Sequence, residues 1–454
     1  MCQVHYLIIS HFYGINLNTV KMITHRTILN TTVSLLFLFC GLVSFGQEAV
    51  IEATIHKGIQ QQTDKIFDDL VQIRRDFHMN PEVSEQEKRT AHKIKEYLLS
   101  IGLEVKTNIG GNGVVGILKG AKEGKKIAWR ADIDAMQSDI PDMVDFKSKK
   151  EGVRHICGHD VHATIALGIA NVLASQKDQL EGTVYFIFQP SEENYKGAKA
   201  MIEDGLFDII NPDEIYGTHI APLPATMIST KPEWLFADYK MIEVVYKNSA
   251  DNDAVLEYTK TLLKSFQNVA ADSEFFDPQS LLSPAIGLAN PNTIFKDYIT
   301  VYDNFDIKKT DDLISIKTYV GSSIFNELAK ILPQVKQKIK SSKYSEKLVN
   351  VSYSGDRANL MNNKKLTNET MNSISAVYGQ QNVIRLYGEM PDGRGDDFAY
   401  FLERVPGVYF FLGGSNFEKG IISMPHAPNF AIDENCIKTG VNYFASMIAE
   451  RLDQ

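Results

Sequence analysis

The chain has 454 residues, of which 44% are hydrophobic and 23% are charged, and its formal net charge is −9. These values are typical of a soluble globular protein with two or three domains and enough chain to bury a large core. The acidic balance argues against nucleic acid as a partner. Four cysteines are present. Cys2 and Cys40 fall before residue 47, and the remaining Cys157 and Cys436 do not make a disulfide scaffold.

The N-terminal region carries an apolar stretch at residues 31–45 that is too short to span a bilayer comfortably. Basic residues precede it and small residues follow it, which predicts a secretory signal peptide cleaved after Gly46. Met22 is then the more natural start, and residues 1–21 are an upstream extension. A buried or anchoring helix is the alternative. Cleavage would leave a mature chain that begins at Gln47, has no stable membrane span and is exported to the periplasm or the extracellular space.

Hydrophobic periodicity predicts two helices near the start of the mature chain, over residues 62–78 and 85–100. Short and nearly continuous apolar runs then alternate with helical segments. This pattern is typical of a buried, largely parallel sheet. The predicted strands cover residues 114–118, 126–131, 183–188 and 214–218.

The pattern changes after residue 232 and changes back near residue 350. Between these points the order of elements fits an inserted α+β domain of ferredoxin-like type. Its predicted segments are a strand at 241–246, a helix at 254–268, a strand- and turn-rich stretch at 290–306, a strand at 313–319 and a helix at 325–339.

The last part of the chain returns to alternating helices and strands. Its predicted segments are a helix at 366–377, the start of a helix at 398–402, a strand at 408–412 and a final helix at 436–452. The simplest organisation is an α/β catalytic domain, formed by residues 47–232 and 351–454, with a lid or dimerisation-type domain at 233–350 inserted into it.

The stretch at residues 153–162 concentrates metal-binding side chains at the mouth of a predicted helix. Within it, Cys157, His159, Asp160 and His162 lie close together. A thiol, imidazoles and a carboxylate suit a borderline-soft divalent metal. The alternative is a lone buried cysteine with histidines that cap the helix. This stretch alone does not decide between the two.

Further polar residues follow the ends of three predicted strands. Glu192 and Glu193 come after the strand at 183–188, His219 ends the next one, and His426 follows the strand near the C-terminus. Ligands gather beyond the carboxyl ends of strands in open α/β sheets. A bare Glu-Glu pair is more often a solvated turn, and a single histidine is more often structural. Their coincidence at strand ends favours a metal site.

Taken in order, these motifs resemble the co-catalytic metallopeptidase family of hippurate hydrolase, auxin-conjugate amidohydrolases and bacterial N-acyl-amino-acid amidohydrolases. The resemblance runs from about Asp69 to the C-terminus, and the ordered set is far more specific than any single member. The set comprises Arg-Arg-Asp-Phe-His at 74–78, Arg-Ala-Asp-Ile-Asp-Ala at 130–135, Cys-Gly-His-Asp-x-His at 157–162, Gln-Pro-Ser-Glu-Glu at 189–193, Gly-Thr-His at 217–219, Gly-Asp-Asp-Phe-Ala at 395–399 and the segment around His426.

The resemblance implies a zinc-exopeptidase-like fold, two divalent ions (Zn, Mn, Co or Ni) and a role for each motif residue. Glu192 is the general base, and Cys157 bridges the ions as a thiolate. His78 and Asp134 are as readily structural as functional. The implied metal ligands are Cys157, His159, Glu193, His219 and His426. The residues implied to orient them are Asp132, Asp160 and His162.

The implied reaction is hydrolysis of the amide bond of small N-acyl amino acids or short peptides by a metal-activated water, with Glu192 moving the proton. A competing mechanism would use Cys157 as a nucleophile and His159 as its base. That mechanism would leave Glu193 and His219 without a role, and likewise His426.

The inserted domain departs from the family. Relatives carry Gly-Lys-Gly-x-His-Ala there, often used across a homodimer, where residues 245–250 read Val-Tyr-Lys-Asn-Ser-Ala. No histidine lies between His219 and His426, and no arginine lies between Arg154 and Arg357. These are the residue types best suited to an oxyanion or a substrate carboxylate.

Two functions of different class therefore remain. The first is a metal-dependent amidohydrolase, in which Asn248, Asn290, Asn292 or a lysine substitutes for the missing lid residues. The second is a metal- or ligand-binding relative that has lost turnover together with its lid chemistry. The presence of Glu192 favours the enzyme, because metal binding alone needs no base. Asp396, where relatives usually have Glu, is a second departure.

Overall fold

A computed structural model describes residues 55–354, 357–391 and 395–454. The predicted signal peptide and its cleavage site lie outside these ranges. The chain divides into two units, Met1–Lys57 and Gly58–Gln454, and the second contains the central sheet, the inserted domain and every predicted site residue. No helix in the described ranges has both the length and the apolar character needed to cross a bilayer.

The second unit is built from strands and helices in alternation. Its described strands are β1 (Glu104–Ile109), β2 (Gly113–Lys119), β3 (Lys122–Asp132), β4 (Met136–Gln137), β5 (Val153–Arg154), β6 (Glu181–Gln189), β7 (Glu214–Pro224), β8 (Ile228–Thr230), β9 (Glu233–Trp234), β10 (Asp238–Lys247), β11 (Ile299–Val301), β12 (Asp306–Lys309), β13 (Leu313–Ser322), β14 (Leu348–Ser354), β15 (Met361–Asn362), β16 (Val383–Arg385) and β17 (Gly407–Ser415). Its α-helices are α1 (residues 58–79 of this unit), α2 (Lys88–Ser100), α3 (His159–Ser175), α4 (Gly197–Glu203), α5 (Leu206–Ile209), α6 (Asn252–Lys264), α7 (Glu327–Lys340), α8 (Lys364–Tyr378), α9 (Ala399–Leu402) and α10 (Asn435–Leu452).

Eight strands form the central sheet, in the order β1-β2-β6-β3-β7-β17-β8-β16. The inner strands β6, β3, β7 and β17 pair in parallel, and antiparallel pairs flank them on both sides. Helices α3 and α10 pack on each other and against β3. The predicted mixed α/β fold with a mostly parallel centre is therefore confirmed. Strand β1 is not among the predicted strands, because its residues alternate between exposed and half-buried up to Ile109 and form no apolar run.

The lid has its own antiparallel sheet, in the order β11-β13-β10-β14, with β12 also paired to β13. Along the chain the lid reads β10-α6-β11-β12-β13-α7-β14, with three strands between its two helices. A separate apolar core, which includes Val244, Ile316 and Val335, holds the lid together. The predicted boundary at residue 350 falls inside β14, which pairs with β10 as far as Ser354. The lid sheet thus continues beyond that boundary.

A connecting segment, residues 265–298, joins α6 to β11 and attaches the lid to the catalytic domain. Its side chains Phe275, Phe295 and Tyr298 share one apolar cluster with catalytic-domain residues such as Phe411. Backbone hydrogen bonds add to this contact, because the Glu389 amide donates to the Phe295 carbonyl at 2.9 Å. The Tyr298 hydroxyl donates to the Glu389 carbonyl at 3.1 Å. The segment therefore ties the two domains to each other at one end of the lid.

Candidate metal centre and its cavity

The predicted ligands converge at the carboxyl ends of the central strands. Cys157 and His159 flank Gly158, whose φ of +97° lies in the left-handed region that favours glycine. His159 is the first residue of α3, and Glu193 follows β6. His219 lies within β7 rather than after it. The β3–β7 ladder ends at Gly217, but β7 continues along β17 to Pro224.

The loop after β17 returns to the same place and supplies His426. Its backbone amide donates to the Ile156 carbonyl at 2.9 Å, which joins this loop to the turn that carries Cys157. His426 itself has a φ of +62°. A left-handed conformation is costly for a residue other than glycine, and such strain clusters at functional sites.

The side chains form a compact group centred on Cys157. Its Sγ lies 3.2 Å from His219 Nε2. His159 Nε2 lies 3.9 Å from a Glu193 carboxylate oxygen, which in turn lies 3.5 Å from His426 Nε2. Cys157 belongs both to the triad with His159 and His219 and to the triad with Glu193 and His426, and in each triad the ligand atoms lie within 4.8 Å of one another. The structure thus brings together all of the predicted ligands.

The sulfur, nitrogen and oxygen atoms of this group suit a divalent metal ion. His159 Nε2 and Glu193 Oε1 are buried and have no hydrogen-bond partner among the described residues. A buried polar atom without a partner is costly, so such atoms call for a ligand. Thiolate sulfur, imidazole nitrogen and carboxylate oxygen together suit Zn and the neighbouring divalent transition metals.

Asp134 and the Ile220 carbonyl orient the ligands by contacting atoms that do not face the metal group. His159 Nδ1 lies 2.9 Å from the Asp134 carbonyl oxygen, and the Glu193 amide donates to the Asp134 carboxylate at 3.0 Å. His219 Nδ1 lies 2.8 Å from the Ile220 carbonyl oxygen. These contacts turn the Nε2 atoms of both histidines toward the group, as second partners of metal ligands commonly do. Asp134, whose role the sequence left open, therefore contacts two predicted ligands.

Asp132 and His162 lie directly beside the group. His162 Nδ1 lies 2.6 Å from the Asp132 carboxylate, and its Nε2 accepts the Ile220 amide at 2.9 Å. Both ring nitrogens are thus engaged with protein atoms. Asp160 lies farther out, with Arg74 at 2.9 Å and His78 at 2.8 Å. Burial raises the pKa of Asp160, but these two cationic partners outweigh it and hold the pKa well below its usual range.

The adjacent glutamates have opposite electrostatic environments. Burial raises the pKa of Glu192, and the neighbouring carboxylates of Asp396 and Asp397 raise it further. Burial also raises the pKa of Glu193, but His426 and His159 outweigh it and bring the value to about 2. Two carboxylates whose pKa values are pushed apart are suited to different tasks, one as a proton carrier and one as an anion.

A buried arginine, Arg130, organises the acids around Glu192, a role that its sequence motif does not predict. The Arg130 guanidinium lies 2.7 Å from Asp132, 3.1 Å from Asp396 and 3.0 Å from Asp397. The Tyr409 hydroxyl donates to Asp396. Arg130 appears in a family motif, but Asp396 and Asp397 are more than 260 positions away from it in sequence. Only the fold brings them together.

A cavity of about 1420 Å³ opens over the group. Cys157 and His426 lie among its lining residues, as do Phe275 and Leu281 of the connecting segment. The predicted lid substitutes Asn248, Asn290 and Asn292 are absent from the described lining. The Asn248 amide group donates instead to the Thr310 and Asp311 carbonyls, and that of Asn290 to the Pro284 carbonyl.

Comparison with known proteins places this geometry in a family. A model described as peptidase family M20/M25/M40 matches residues 128–450. The chain belongs to this family. It is 31% identical over 394 residues to thermostable carboxypeptidase 2 of Saccharolobus solfataricus, a match that covers 84% of this chain and 95% of that protein. It is 30% identical over 396 residues to hippurate hydrolase of Campylobacter jejuni, with 84% and 96% covered.

A solved structure supports the same relationship. The chain is similar to the YxeP protein of Bacillus subtilis, described as a dinuclear metal-binding peptidase from the M20 family. The TM-score is 0.69 at 25% identity, and the match covers 86% of this chain and 99% of that one. The predicted resemblance is thus confirmed. As a member of the M20 family, the protein is a metal-dependent hydrolase of carbon–nitrogen amide bonds.

Proposed function

We propose that the protein binds two divalent metal ions and hydrolyses the amide bond of small N-acyl amino acids or short peptides. The observation that carries this proposal is the group of five donor side chains next to Glu192 at the floor of a large cavity. The proposed metal ligands are Cys157, His159, Glu193, His219 and His426. Zn, Mn, Co and Ni all suit this donor set.

Two metal ions, when bound, would polarise the scissile carbonyl and lower the pKa of water. Glu192 is placed to accept the proton of the attacking water and to deliver it to the leaving amine. Its carboxylate lies 3.8 Å from His159 Nε2 and belongs to the buried acid cluster with Asp396. The carbonyls of Asp134 and Ile220, which lie beside Nδ1 of His159 and His219, keep these two histidines in the tautomer that leaves Nε2 free for metal. No acyl-enzyme on Cys157 is required.

The wall of the cavity that the connecting segment forms, called the far wall below, supports an apolar acyl group in the substrate. Its lining residues include Phe275, Leu281 and Leu288, and apolar contact is the main source of binding energy in such pockets. The names of two relatives, a hippurate hydrolase and a carboxypeptidase, agree with an acyl group on one side of the bond and an amino acid on the other.

We also propose export of the mature chain to the periplasm or the extracellular space. The apolar stretch at 31–45, with basic residues before it and small residues after it, supports this proposal. N-terminal sequencing of protein from the producing cell should find Gln47 as the first residue. An intact Met22 would contradict it. A homodimer through the lid is a further prediction, which sedimentation equilibrium would test.

The second candidate function is a metal-binding relative without turnover, and the absence of any histidine between His219 and His426 favours it. One experiment separates the two. Purified protein is analysed for metal and then screened against N-acyl amino acids and dipeptides, with Glu192→Gln as the control. We expect bound metal in both proteins and hydrolysis only in the wild type. Metal-loaded wild type that binds these compounds and cleaves none of them would establish the second function.

A further inference from the structure

An apolar run of the connecting segment lines the cavity. Residues 278–289 contain no charged side chain. The lining side chains from this run and from the residues just before it include Phe275, Phe276, Pro278, Leu281, Leu282 and Leu288. The far wall is therefore apolar over the length of the run, whereas the floor carries the metal ligands and the acids.

The backbone of this run pairs many of its polar groups within the segment. The Leu288 amide donates to the Leu281 carbonyl at 3.0 Å. The Asp277 carboxylate accepts the Gln279 amide at 2.9 Å and so caps the short turn of helix that follows it. Backbone groups that already have partners are not available to a polar ligand. The run is thus suited to recognising a ligand through its apolar side chains.

The run is also fixed to the catalytic domain. The Leu288 carbonyl accepts the Tyr387 amide at 2.8 Å and the Gly388 amide at 3.2 Å. Phe275 and Leu288 are 6% and 5% exposed, and both belong to the apolar cluster that the segment shares with the catalytic domain. A wall held in this way does not have to be ordered when a ligand binds, which favours affinity.

Other apolar side chains of the cavity are open to solvent. Phe276 is 48% exposed and Leu282 is 50% exposed, and both line the cavity from the connecting segment. Tyr302, which follows β11 of the lid, is 45% exposed and lines it as well. A single exposed apolar side chain is common, but several in one cavity mark a binding surface. The apolar lining thus extends from buried Phe275 and Leu288 out to solvent.

The cavity is larger than a small acyl group needs. Its volume is about 1420 Å³, whereas pockets for small molecules usually measure about 300–1,000 Å³. The same cavity is lined by Cys157 and His426 of the metal group and by Leu282 of the far wall. An acetyl or benzoyl group at the reaction centre would leave most of that wall uncovered. An alkyl chain is long and narrow, so it can extend from the scissile carbonyl along the wall.

We propose that the acyl half of the substrate is a medium- or long-chain fatty acyl group, whose alkyl chain lies along the far wall and reaches Phe276 and Leu282. This inference rests on the proposed function and specifies its acyl group. Hydrolysis adds one water across the carbon–nitrogen bond and releases a fatty acid and a free amino acid. Phe276 and Leu282 contact the chain far from the reacting atoms, so they determine specificity and take no part in the chemistry.

The test uses one amino acid acylated with acetyl, hexanoyl, octanoyl or decanoyl, each kept below the concentration at which it forms micelles. Each methylene group buried against an apolar wall contributes about threefold to fourfold in kcat/KM. In wild type we therefore expect kcat/KM to rise by at least about 100-fold from acetyl to decanoyl. The double variant Phe276→Ser/Leu282→Ser should lower kcat/KM for the decanoyl substrate by roughly 10- to 100-fold and for the acetyl substrate by less than about threefold.

Phe417→Ser is the matched control. Phe417 is 54% exposed, like the two residues of the far wall, but it is absent from the described lining of the cavity. Its replacement should leave the ratio of decanoyl to acetyl kcat/KM within about threefold of wild type. Because all three replaced side chains are largely exposed, each variant should fold as wild type does.

Three results would overturn the proposal. The first is a wild-type kcat/KM that stays constant or falls as the acyl chain lengthens. The second is an equal loss for the decanoyl and acetyl substrates in the double variant. The third concerns a peptide that carries leucines in place of the decanoyl chain. If wild type cleaves this peptide faster than the decanoyl substrate and the double variant slows its cleavage, the far wall binds peptide side chains instead.

The proposed function can fail separately. If wild type cleaves none of these compounds, hydrolysis is excluded for the series, and binding to metal-loaded wild type is then measured by calorimetry. Tighter binding of the decanoyl than of the acetyl compound, lost in the double variant and kept in Phe417→Ser, would support the alkyl-chain site even without turnover. Equal binding of the two compounds to wild type would overturn it.

Discussion

The two sides of the cavity are held together by different forces. On the floor, polar partners hold ligands and neighbouring acids in place, as Asp134 holds His159 and His162 holds Asp132. On the opposite side, the connecting segment makes mainly apolar contacts, through side chains such as Phe275 and Phe295. Polar partners set the direction of a ligand atom, whereas apolar contacts set only shape and volume. The floor is thus suited to amide hydrolysis, which needs accurately oriented atoms. The far wall is suited to selecting substrates by the shape and volume of their apolar groups.

The strongest test of this contrast removes the proton carrier from the floor and leaves the rest in place. Glu192→Gln keeps the shape of the side chain but loses its basic oxygen. Because general-base catalysis typically contributes about 10²–10⁴ in rate, we expect kcat to fall by that factor. Metal content, measured by mass spectrometry, should stay at the wild-type value, since Glu193 and not Glu192 is a proposed ligand.

A Glu192→Gln enzyme as active as wild type would refute the mechanism. Loss of metal together with activity would instead make Glu192 a ligand. The matched control is Glu203→Gln, because this residue lies at the end of α4, is exposed, and is absent from the described lining of the cavity.

The floor of the cavity could be predicted from the sequence to a much greater extent than the far wall. The strands β2, β3, β6 and β7 were predicted because buried strands produce continuous apolar runs. The residues at their ends were predicted because ligand chemistry needs particular side chains at particular spacings. The precise place of His219 was not predictable, because β7 continues past the histidine along β17, a partner nearly 200 positions away.

The far wall was not predicted, because the contacts that form it join residues that are far apart in the sequence. The connecting segment has no helical or strand periodicity, and its contacts are distant in sequence, as between Tyr298 and Glu389. The contact between Arg357 and Tyr195 could not be predicted either, because a single arginine in a loop matches no sequence motif. Its position beside Tyr195 exists only once the lid and the catalytic domain have folded together.

The second-largest effect is expected when Phe275 of the connecting segment loses its apolar contacts. Phe275 is 6% exposed and packs against Phe295 and Tyr298 with ring centroids 5.0 and 4.7 Å apart. Phe275→Ala should lower the free energy of unfolding in urea by about 3 kcal/mol, because a buried phenylalanine leaves a cavity behind. Its neighbour Phe276 is 48% exposed, so Phe276→Ala is the control and should cost less than about 1 kcal/mol. Equal effects would show that the segment does not hold the lid as described.

A smaller effect is expected from the residue that orients His162 on the floor. Asp132→Asn keeps the size of the side chain but weakens its contacts with His162 and Arg130. Asp132 also lies 3.8 Å from Nε2 of the proposed ligand His159, so we expect its replacement to lower metal affinity. The loss should be at most the roughly 10- to 100-fold typical of a direct partner of a ligand, and competition with a chelator would measure it. Asp142→Asn is a matched control, because Asp142 is also largely buried but bonds to His78 and Arg154 instead. If both variants hold metal equally well, Asp132 does not act through the ligands.

The smallest expected effect concerns pH, and it compares the polar side with the apolar one directly. Asp142 lies 3.0 Å from His78 Nε2, and its side chain is 7% exposed. Burial raises its pKa, but the hydrogen bonds from His78 and from the Ser148 amide outweigh it and bring the pKa to about 2. Because this value lies below the value of about 3.9 in an unfolded chain, the stabilisation is complete above that pH. It is lost as the pH falls from about 4 toward 2.

The size of this contribution is on the order of 1–2 kcal/mol. We therefore expect the difference in unfolding free energy between wild type and Asp142→Asn to shrink by that amount between pH 6 and pH 3, with chelator present so that metal release does not contribute. The same difference for Phe275→Ala should stay constant over this range, because no ionisable group is removed. A constant difference for Asp142→Asn would mean that its carboxylate does not stabilise the fold through charge. The contrast between a polar floor and an apolar wall would then not extend to Asp142.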